Sequence, residues 1–232
     1  MEQKQKVNVV KVFIQLLLVL VILPLLPMLI AWRWDWWEAW VFFALWILSF
    51  FISRALAARR NPGILAERAN SFDHKNTQAW DNVLAPLVAL GPALIPIVAG
   101  LDERFAWSNL FDLPWRLVGL ALLVAGYAFS SWALIENSYF SGTVRLQSER
   151  GHHVISSGPY RMVRHPGYAG ILLTSLGGPM LLNSTWAWVA ALVCLIPLVV
   201  RTRLEDRFLQ QELEGYREYA GRVRYRLVPG VW

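Results

Sequence analysis

The chain has 232 residues, of which 56% are apolar, 13% aromatic and only 16% charged, against about 25% charged in an ordinary soluble domain. Disorder, which needs low hydrophobicity and high charge, is excluded, and long unbroken apolar runs argue against a soluble globule. The net charge of +6 suggests nucleic acid or a membrane surface as partner, and the placement of the basic residues decides between them.

Val12 to Trp32 runs for 21 residues without a charge, and a helix crosses a bilayer core with about 20 apolar residues. Lys4, Lys6 and Lys11 precede this run, but it is longer than a typical signal-peptide core and no A-x-A site follows. It reads as a retained first helix. Ala39 to Ser53 is only 15 residues, bounded by Glu38 and Arg54. It spans if the bilayer thins or Arg54 snorkels. The basic loop 54–81, with Arg59-Arg60-Asn61-Pro62-Gly63, has two open readings, a lipid-headgroup anchor or a substrate contact. Asn82 to Leu101 (20 residues) and Leu117 to Ile135 (19 residues) are further spans. Pro24, Pro27, Pro86, Pro92 and Pro96 lie within membrane runs, where prolines are tolerated and kink the helix.

Pro166 to Val200 carries no charge for 35 residues, roughly 50 Å as one helix at 1.5 Å per residue. That is too long for one span. Gly177-Gly178-Pro179 and Asn183-Ser184 predict a tight hairpin of two short helices, about 168–182 and 185–200. Residues 204–220 place Leu204, Phe208, Leu213, Tyr216 and Tyr219 among charges, which predicts an amphipathic helix along the cytoplasmic face, ended by Gly221. Arg222, Arg224 and Arg226 then favour anionic lipid over nucleic acid. The expected fold is all-α: a polytopic transmembrane bundle of about six membrane helices, including the C-terminal hairpin, plus the interfacial helix. Residues 1–135 read as scaffold and 136–232 as the catalytic part. Cys194 excludes an internal disulfide or a Cys-based zinc site and reads as a small buried hydrophobe.

With a cytoplasmic N-terminus, the inner segments 1–11, 54–81, 136–165 and 201–232 hold 19 of the 22 Lys and Arg. This positive-inside bias puts both termini in the cytoplasm. Trp32, Trp34, Trp36, Trp37, Trp40, Trp107, Trp115, Trp186 and Trp188 gather instead at the predicted outer turns, as an interfacial aromatic belt does.

Polar chemistry concentrates after residue 136. A hairpin brings Arg164-His165-Pro166-Gly167-Tyr168 opposite Arg201-Thr202-Arg203-Leu204-Glu205-Asp206. Pro166 suits the first position of a helix, whose N-terminus presents free N–H groups and partial positive charge to a carboxylate or phosphate. Arg201 and Glu205 are four apart on one helix face. Walls of both signs match a zwitterionic ligand better than a polyanion. Plain readings stand beside this one: Arg201–Glu205 as an interfacial ion pair, His165 as a cap or a headgroup neighbour, His152-His153 as solvated loop residues. The histidines make a poor metal site, lacking HExxH or a second ligand cluster, and no P-loop, GxSxG or GxGxxG is present.

Ser157-Gly158-Pro159-Tyr160-Arg161-Met162-Val163-Arg164-His165-Pro166-Gly167-Tyr168-Ala169-Gly170, followed after the hairpin by Glu205-Asp206 and the ending Gly215-Tyr216…Tyr219…Val223…Arg226-Leu227-Val228-Pro229, resembles the signature of the isoprenylcysteine carboxyl methyltransferase and phospholipid methyltransferase superfamily. The likeness covers roughly 136–232. It implies S-adenosylmethionine as methyl donor, with a cofactor pocket of Gln147, His152, His153, Val154, Ile155, Tyr160, Arg164, His165, Pro166, Gly167, Tyr168 and Glu205. It implies that Arg201 contacts the methyl acceptor, and His165 is the candidate base for an amine acceptor. Asp206 departs from the usual second Glu, which puts a direct role for that position in doubt. The expected partners are a lipophilic acceptor arriving from the bilayer and membrane lipids, with no nucleic acid and no metal. Two other readings compete: a membrane NADPH-dependent reductase of the sterol or steroid type, in whose motif an Asn stands where this chain has Gly167, and a non-enzymatic membrane scaffold.

Overall fold

The structure is a computed structural model, and it describes residues 14, 17–69 and 76–232. The described residues form helices and loops without strands. Helix α1 (Leu18–Ala31) opens as a π-helix over Leu18–Ile22. It is followed by α2 (Trp37–Arg60), α3 (Ile64–Ala69) and α4 (Asp81–Phe105). Then come α5 (Leu113–Glu136), α6 (Pro166–Leu181), α7 (Trp186–Glu212) and α8 (Tyr216–Arg222). Four of these, α2, α4, α5 and α7, are long and apolar enough to cross a membrane. Their outer surfaces expose Leu48, Phe51, Ile52, Val83, Leu87, Leu192, Val193 and Ile196. A soluble protein rarely shows so large an apolar surface; the chain is an integral membrane protein. The expected inner segment 1–11 and the start of the first run at Val12 lie outside the described residues.

The second helix is longer than its uncharged run. Glu38 and Arg54 do not end it, because each has a partner within the protein: Glu38 accepts from Arg116 of α5 at 2.5 Å, and the Arg54 guanidinium lies 4.0 Å from the Phe50 ring centroid. Helix α4 is interrupted by a single 3-10 turn, Gly91–Ala93. Pro92 and Pro96 lack the N–H groups that an unbroken helix needs there. The Cys194 thiol donates to the Gly91 carbonyl at 2.9 Å, so this buried cysteine also braces the break.

The hairpin is present, with its turn at 182–185. Asn183 takes a left-handed conformation (φ 54°), which Asn tolerates better than most residues. Its side-chain oxygen accepts from the Phe111 N–H at 2.9 Å. Asp102, fully buried, accepts from Ser108 and Ser184. The turns between α1 and α2, α4 and α5, and α6 and α7 thus share one end of the bundle, where Trp32, Trp34, Trp37, Trp40, Trp107, Trp115 and Trp186 are exposed. Of the other two expected there, Trp188 is half-buried and Trp36 is buried in the core.

Helix α6 is the centre of the molecule. It packs along α5 through glycines on both sides. A Cβ at Gly126 would lie 2.7 Å from the Gly170 carbonyl, and one at Gly177 would lie 2.6 Å from that of Gly119. Such small-residue seams let membrane helices approach closely. The expected single helix over 204–220 is instead two pieces. Residues up to Glu212 continue α7, Gly215 turns the chain in a left-handed conformation (φ 76°), and α8 folds back. Leu213, Tyr216 and Tyr219 are buried against Ala133 and Tyr160, so their apolar stripe serves a protein core. Gly221 lies inside α8.

The glycine seam generates a prediction. Gly126→Ala should destabilise by about 1–3 kcal/mol, the usual cost of overpacking. In a thermal melt of the detergent-solubilised protein this reads as roughly 3–10 °C. Gly221→Ala, whose Cβ meets open space, should leave the melting temperature unchanged.

Candidate active site

A cavity of about 470 Å³ opens at the end of the bundle opposite the tryptophan-rich turns. Pockets for small ligands and cofactors run from about 300 to 1,000 Å³. Its lining includes Gln147, His152, His153, Val154, Ile155, Tyr160, Arg164, His165, Gly167, Tyr168, Arg201 and Glu205. Pro166 is the one sequence-predicted position outside that lining; it is the first residue of α6, where its missing N–H costs nothing.

The two walls of the hairpin meet through charge. Asp206 of α7 is fully buried. It accepts Arg164 Nε at 2.7 Å and Nη2 at 3.0 Å. Gln210 donates to it at 2.8 Å, Tyr216 at 3.2 Å and Arg226 at 2.9 Å. His165 Nε2 lies 3.4 Å away. The Asp206 carboxylate is therefore the hub that gathers α6, α7, α8 and the C-terminal segment. Arg164 Nη1 donates onward to the carbonyls of Val223 at 2.8 Å and Arg224 at 2.9 Å. The Arg164 and His165 N–H groups donate to the carbonyls of Tyr225 and Arg226. Arg164 borders the cavity, but its guanidinium is committed to the protein.

Arg201 and Glu205 do not pair with each other. Arg201 forms a bidentate pair with the fully buried Asp81 of α4, at 2.7 and 2.9 Å, and also donates to the Gly142 carbonyl at 2.8 Å. Asp81 in turn accepts the Val144 N–H at 2.6 Å. Glu205 is left facing the cavity, where it accepts from the Tyr168 hydroxyl at 2.5 Å. The Arg201 guanidinium lies 5.4 Å from the Tyr168 ring centroid, and the His165 ring stacks on the same tyrosine with centroids 5.7 Å apart. With Nε2 turned to Asp206, the His165 ring keeps Nδ1 as its remaining nitrogen, the usual effect of an orienting carboxylate.

The loop between α5 and α6 closes the polar end of the cavity. Gln147, nearly fully buried, donates to the Tyr139 carbonyl at 2.7 Å and accepts from Arg150 at 2.6 Å. Its side chain thus shapes the loop. His152 packs on Tyr139 with ring centroids 4.5 Å apart. Burial first, then the neighbouring His153, Arg145 and Arg150, push the His152 imidazole down to about 4, so it stays neutral at pH 7. His153 Nδ1 lies 2.8 Å from the Tyr139 hydroxyl. The Tyr160 hydroxyl accepts from Asn137 at 3.0 Å, and its carbonyl accepts from Tyr219 at 2.7 Å. Burial raises the Tyr160 hydroxyl well above its ordinary range, which keeps it neutral.

Sequence reading missed Asp81, the hub role of Asp206, and the Tyr139 and Asn137 contacts. A signal for Asp81 exists: a carboxylate at the edge of an apolar run needs a partner at the same depth, and Arg201 begins the polar part of α7. It also missed the contribution of the first half, since Trp46, Phe50, Arg54, Arg68, Ala85 and Val88 line the same cavity.

Comparison with known proteins identifies the family. The profile of the isoprenylcysteine carboxyl methyltransferase family matches residues 118–211. Protein-S-isoprenylcysteine O-methyltransferase B of Arabidopsis thaliana is 32% identical over 145 residues, 60% of this chain and 70% of that protein. A probable protein-S-isoprenylcysteine O-methyltransferase of Oryza sativa subsp. indica is 33% identical over 109 residues, 46% of this chain; the match spans 57% of the rice protein's length. A delta(14)-sterol reductase of Mus musculus is 30% identical over 154 residues, 60% of this chain but 37% of that protein.

Removing the hub charge should unbalance its cations. Asp206→Asn leaves Arg164 buried without its carboxylate, and breaking a buried pair from one side costs about 3–5 kcal/mol. The thermal midpoint in detergent should fall by roughly 10 °C or more; an unchanged midpoint would remove Asp206 from the centre of the fold.

Proposed function

The chain belongs to the isoprenylcysteine carboxyl methyltransferase family, and on that premise we propose that it transfers a methyl group from S-adenosylmethionine to a lipophilic acceptor. One observation carries the reading: a single cavity is lined both by polar residues of 137–168 and 205–219 and by Trp46, Phe50, Ala85, Val88 and Tyr127 of α2, α4 and α5, which we read as a polar and an apolar lobe. A water-soluble donor and an apolar acceptor need that pair of compartments joined at one point. The charge bias of the inner segments supports a cytoplasmic mouth and cytoplasmic termini. In this reading 136–232 holds the cofactor, and 1–135 shapes the acceptor lobe as well as the scaffold.

The chemistry of the polar lobe fits the cofactor. Glu205 would meet the amine of its methionine end, and the N-terminus of α6 at Gly167 would meet the carboxylate. Arg164 would act on that end through the fold, because its own donors are taken. The aromatic faces of Tyr139, Tyr160 and Tyr168, with neutral His152, would receive the adenine and the sulfonium charge. Gln147, His153, Val154 and Ile155 would close the lobe against water. When bound, the cofactor supplies an electrophilic methyl group on a positively charged sulfur.

Methyl transfer is an in-line displacement, so alignment supplies much of the rate. A carboxylate or thiolate acceptor arrives already nucleophilic and needs no base. Arg201, held rigid by Asp81, would orient such an anion. With an amine acceptor, Nδ1 of His165 would be the proton-accepting atom, its ring fixed by Asp206. The plant relatives, protein-S-isoprenylcysteine O-methyltransferases, favour a prenylated cysteine carboxylate as acceptor.

Calorimetry on the detergent-purified protein tests this reading. S-adenosylhomocysteine should bind in the micromolar range, Glu205→Gln should weaken it at least tenfold, and NADPH should not bind. Micromolar NADPH binding with none for S-adenosylhomocysteine would instead support a reductase.

A further inference from the structure

Charge accounting around the cavity leaves two arginines over. The other buried or cavity-lining arginines have an acidic partner: Arg145 has Glu67 and Glu149, Arg164 has Asp206 and Arg201 has Asp81. Arg54 of α2 and Arg68 of α3 line the same cavity with no carboxylate partner among the described residues. Arg54 donates to the Ser53 hydroxyl at 2.9 Å and lies over Phe50 at 4.0 Å. Arg68 lies over Phe140 at 5.3 Å. Both side chains are half-buried, and ring faces and one hydroxyl compensate a guanidinium withdrawn from water only in part. Burial, and then the nearby Arg201, push the Arg68 guanidinium below its ordinary range. The bland alternative for Arg54, snorkelling outward to lipid headgroups, does not agree with its place in the cavity wall.

These cations have different neighbours. Arg54 lies over Phe50, and Arg68 is close enough to Arg201 and Tyr168 to interact with their charges; Trp46, Ala85, Val88 and Glu205 line the same cavity. An occupant that lies along Trp46, Phe50, Ala85 and Val88 and reaches the two arginines must have an apolar body and an anionic end. We infer that Arg54 and Arg68 form the anion subsite that selects the acceptor, a lipophilic carboxylate. The inference rests on the methyltransferase reading above and adds the residues that choose among acceptors.

The reaction fixes what this subsite can do. A carboxylate oxygen forms the new bond to the methyl carbon as the carbon–sulfur bond breaks. The bonding pair leaves with sulfur, which becomes a neutral thioether, while the carboxylate becomes a neutral ester; no proton moves. The acceptor's negative charge is therefore falling in the transition state. Cations that grip the carboxylate stabilise the ground state at least as well as the transition state, and such binding lowers KM without raising kcat. Arg54 and Arg68 are specificity residues, and the neutral ester, no longer held by them, is released.

The test follows the ligand-induced change in tryptophan fluorescence of the whole chain that a Trp46→Phe variant loses, Trp46 being in the cavity wall. The probes are N-acetyl-S-farnesylcysteine and its uncharged carboxamide. Wild type should bind the carboxylate at least tenfold more tightly than the amide. Arg54→Gln and Arg68→Gln should each reduce that preference several-fold and raise KM without lowering kcat. Both should still bind S-adenosylhomocysteine like wild type, which separates this proposal from the cofactor assignment. Neither should lower the melting temperature, because no carboxylate among the described residues is orphaned by removing the charge. An undiminished preference in both variants, or a fall in kcat at unchanged KM, would overturn the proposal. So would displacement of the amide by dioleoyl phosphatidic acid but not by the carboxylate, which would assign the arginines to a phospholipid phosphate.

Discussion

A charge buried at the edge of a membrane must find its partner inside the protein, and two carboxylates here organise everything around that requirement. Asp206 gathers Arg164, Arg226, Gln210 and Tyr216; Asp81 holds Arg201 and the Val144 N–H. The first ties the hairpin's two arms to α8 and the C-terminal segment. The second ties α7 to α4 and to the loop that closes the cavity. Buried ion pairs are not strong sources of stability against well-packed apolar groups. Their contribution here is to leave one arrangement in which Arg164, Arg201 and Arg226 each face a carboxylate, and that arrangement holds Glu205, Tyr168 and His165 at a shared cavity.

Close packing complements the charge network. Helix α6 has 16 residues, with ten of them buried, and bare glycine surfaces let it sit against α5 at backbone distance. The short α6 then starts at the level of the loop 136–165, which is why the sequence-adjacent Arg164 and His165 reach Asp206 on the opposite arm. The fold thereby puts a polar pocket against an apolar lobe with no separate soluble domain, in keeping with a family whose plant members are named as methyltransferases of prenylated cysteine.

Much of this was legible in the residues. Uncharged runs located the spans, because few other sequences supply 20 apolar residues in a row. The 35-residue run declared a hairpin through its length alone, and the opposed motifs followed from it. What escaped was pairing in three dimensions. The spacing of Arg201 and Glu205 suggested an ion pair, yet Arg201 reaches Asp81, 120 positions away, and a bidentate partner across the bundle outcompetes a neighbour one turn along. Arg54 looked like the end of a span because a charge beside apolar residues resembles a boundary; an inward-facing cavity lets the helix run on to Arg60. The apolar stripe of 204–220 was visible, but periodicity cannot say whether lipid or Tyr160 covers it, and Gly215 breaks the helix so that protein does.

Hydrogen–deuterium exchange of the detergent-solubilised protein with and without S-adenosylhomocysteine tests the central claim most directly. The account predicts slowed exchange in 139–168 and 205–219, the segments that close the polar lobe, and unchanged exchange at the turns 106–112 and 182–185. Protection confined to those turns, or to the α2–α3 region around Arg54 and Arg68, would contradict it.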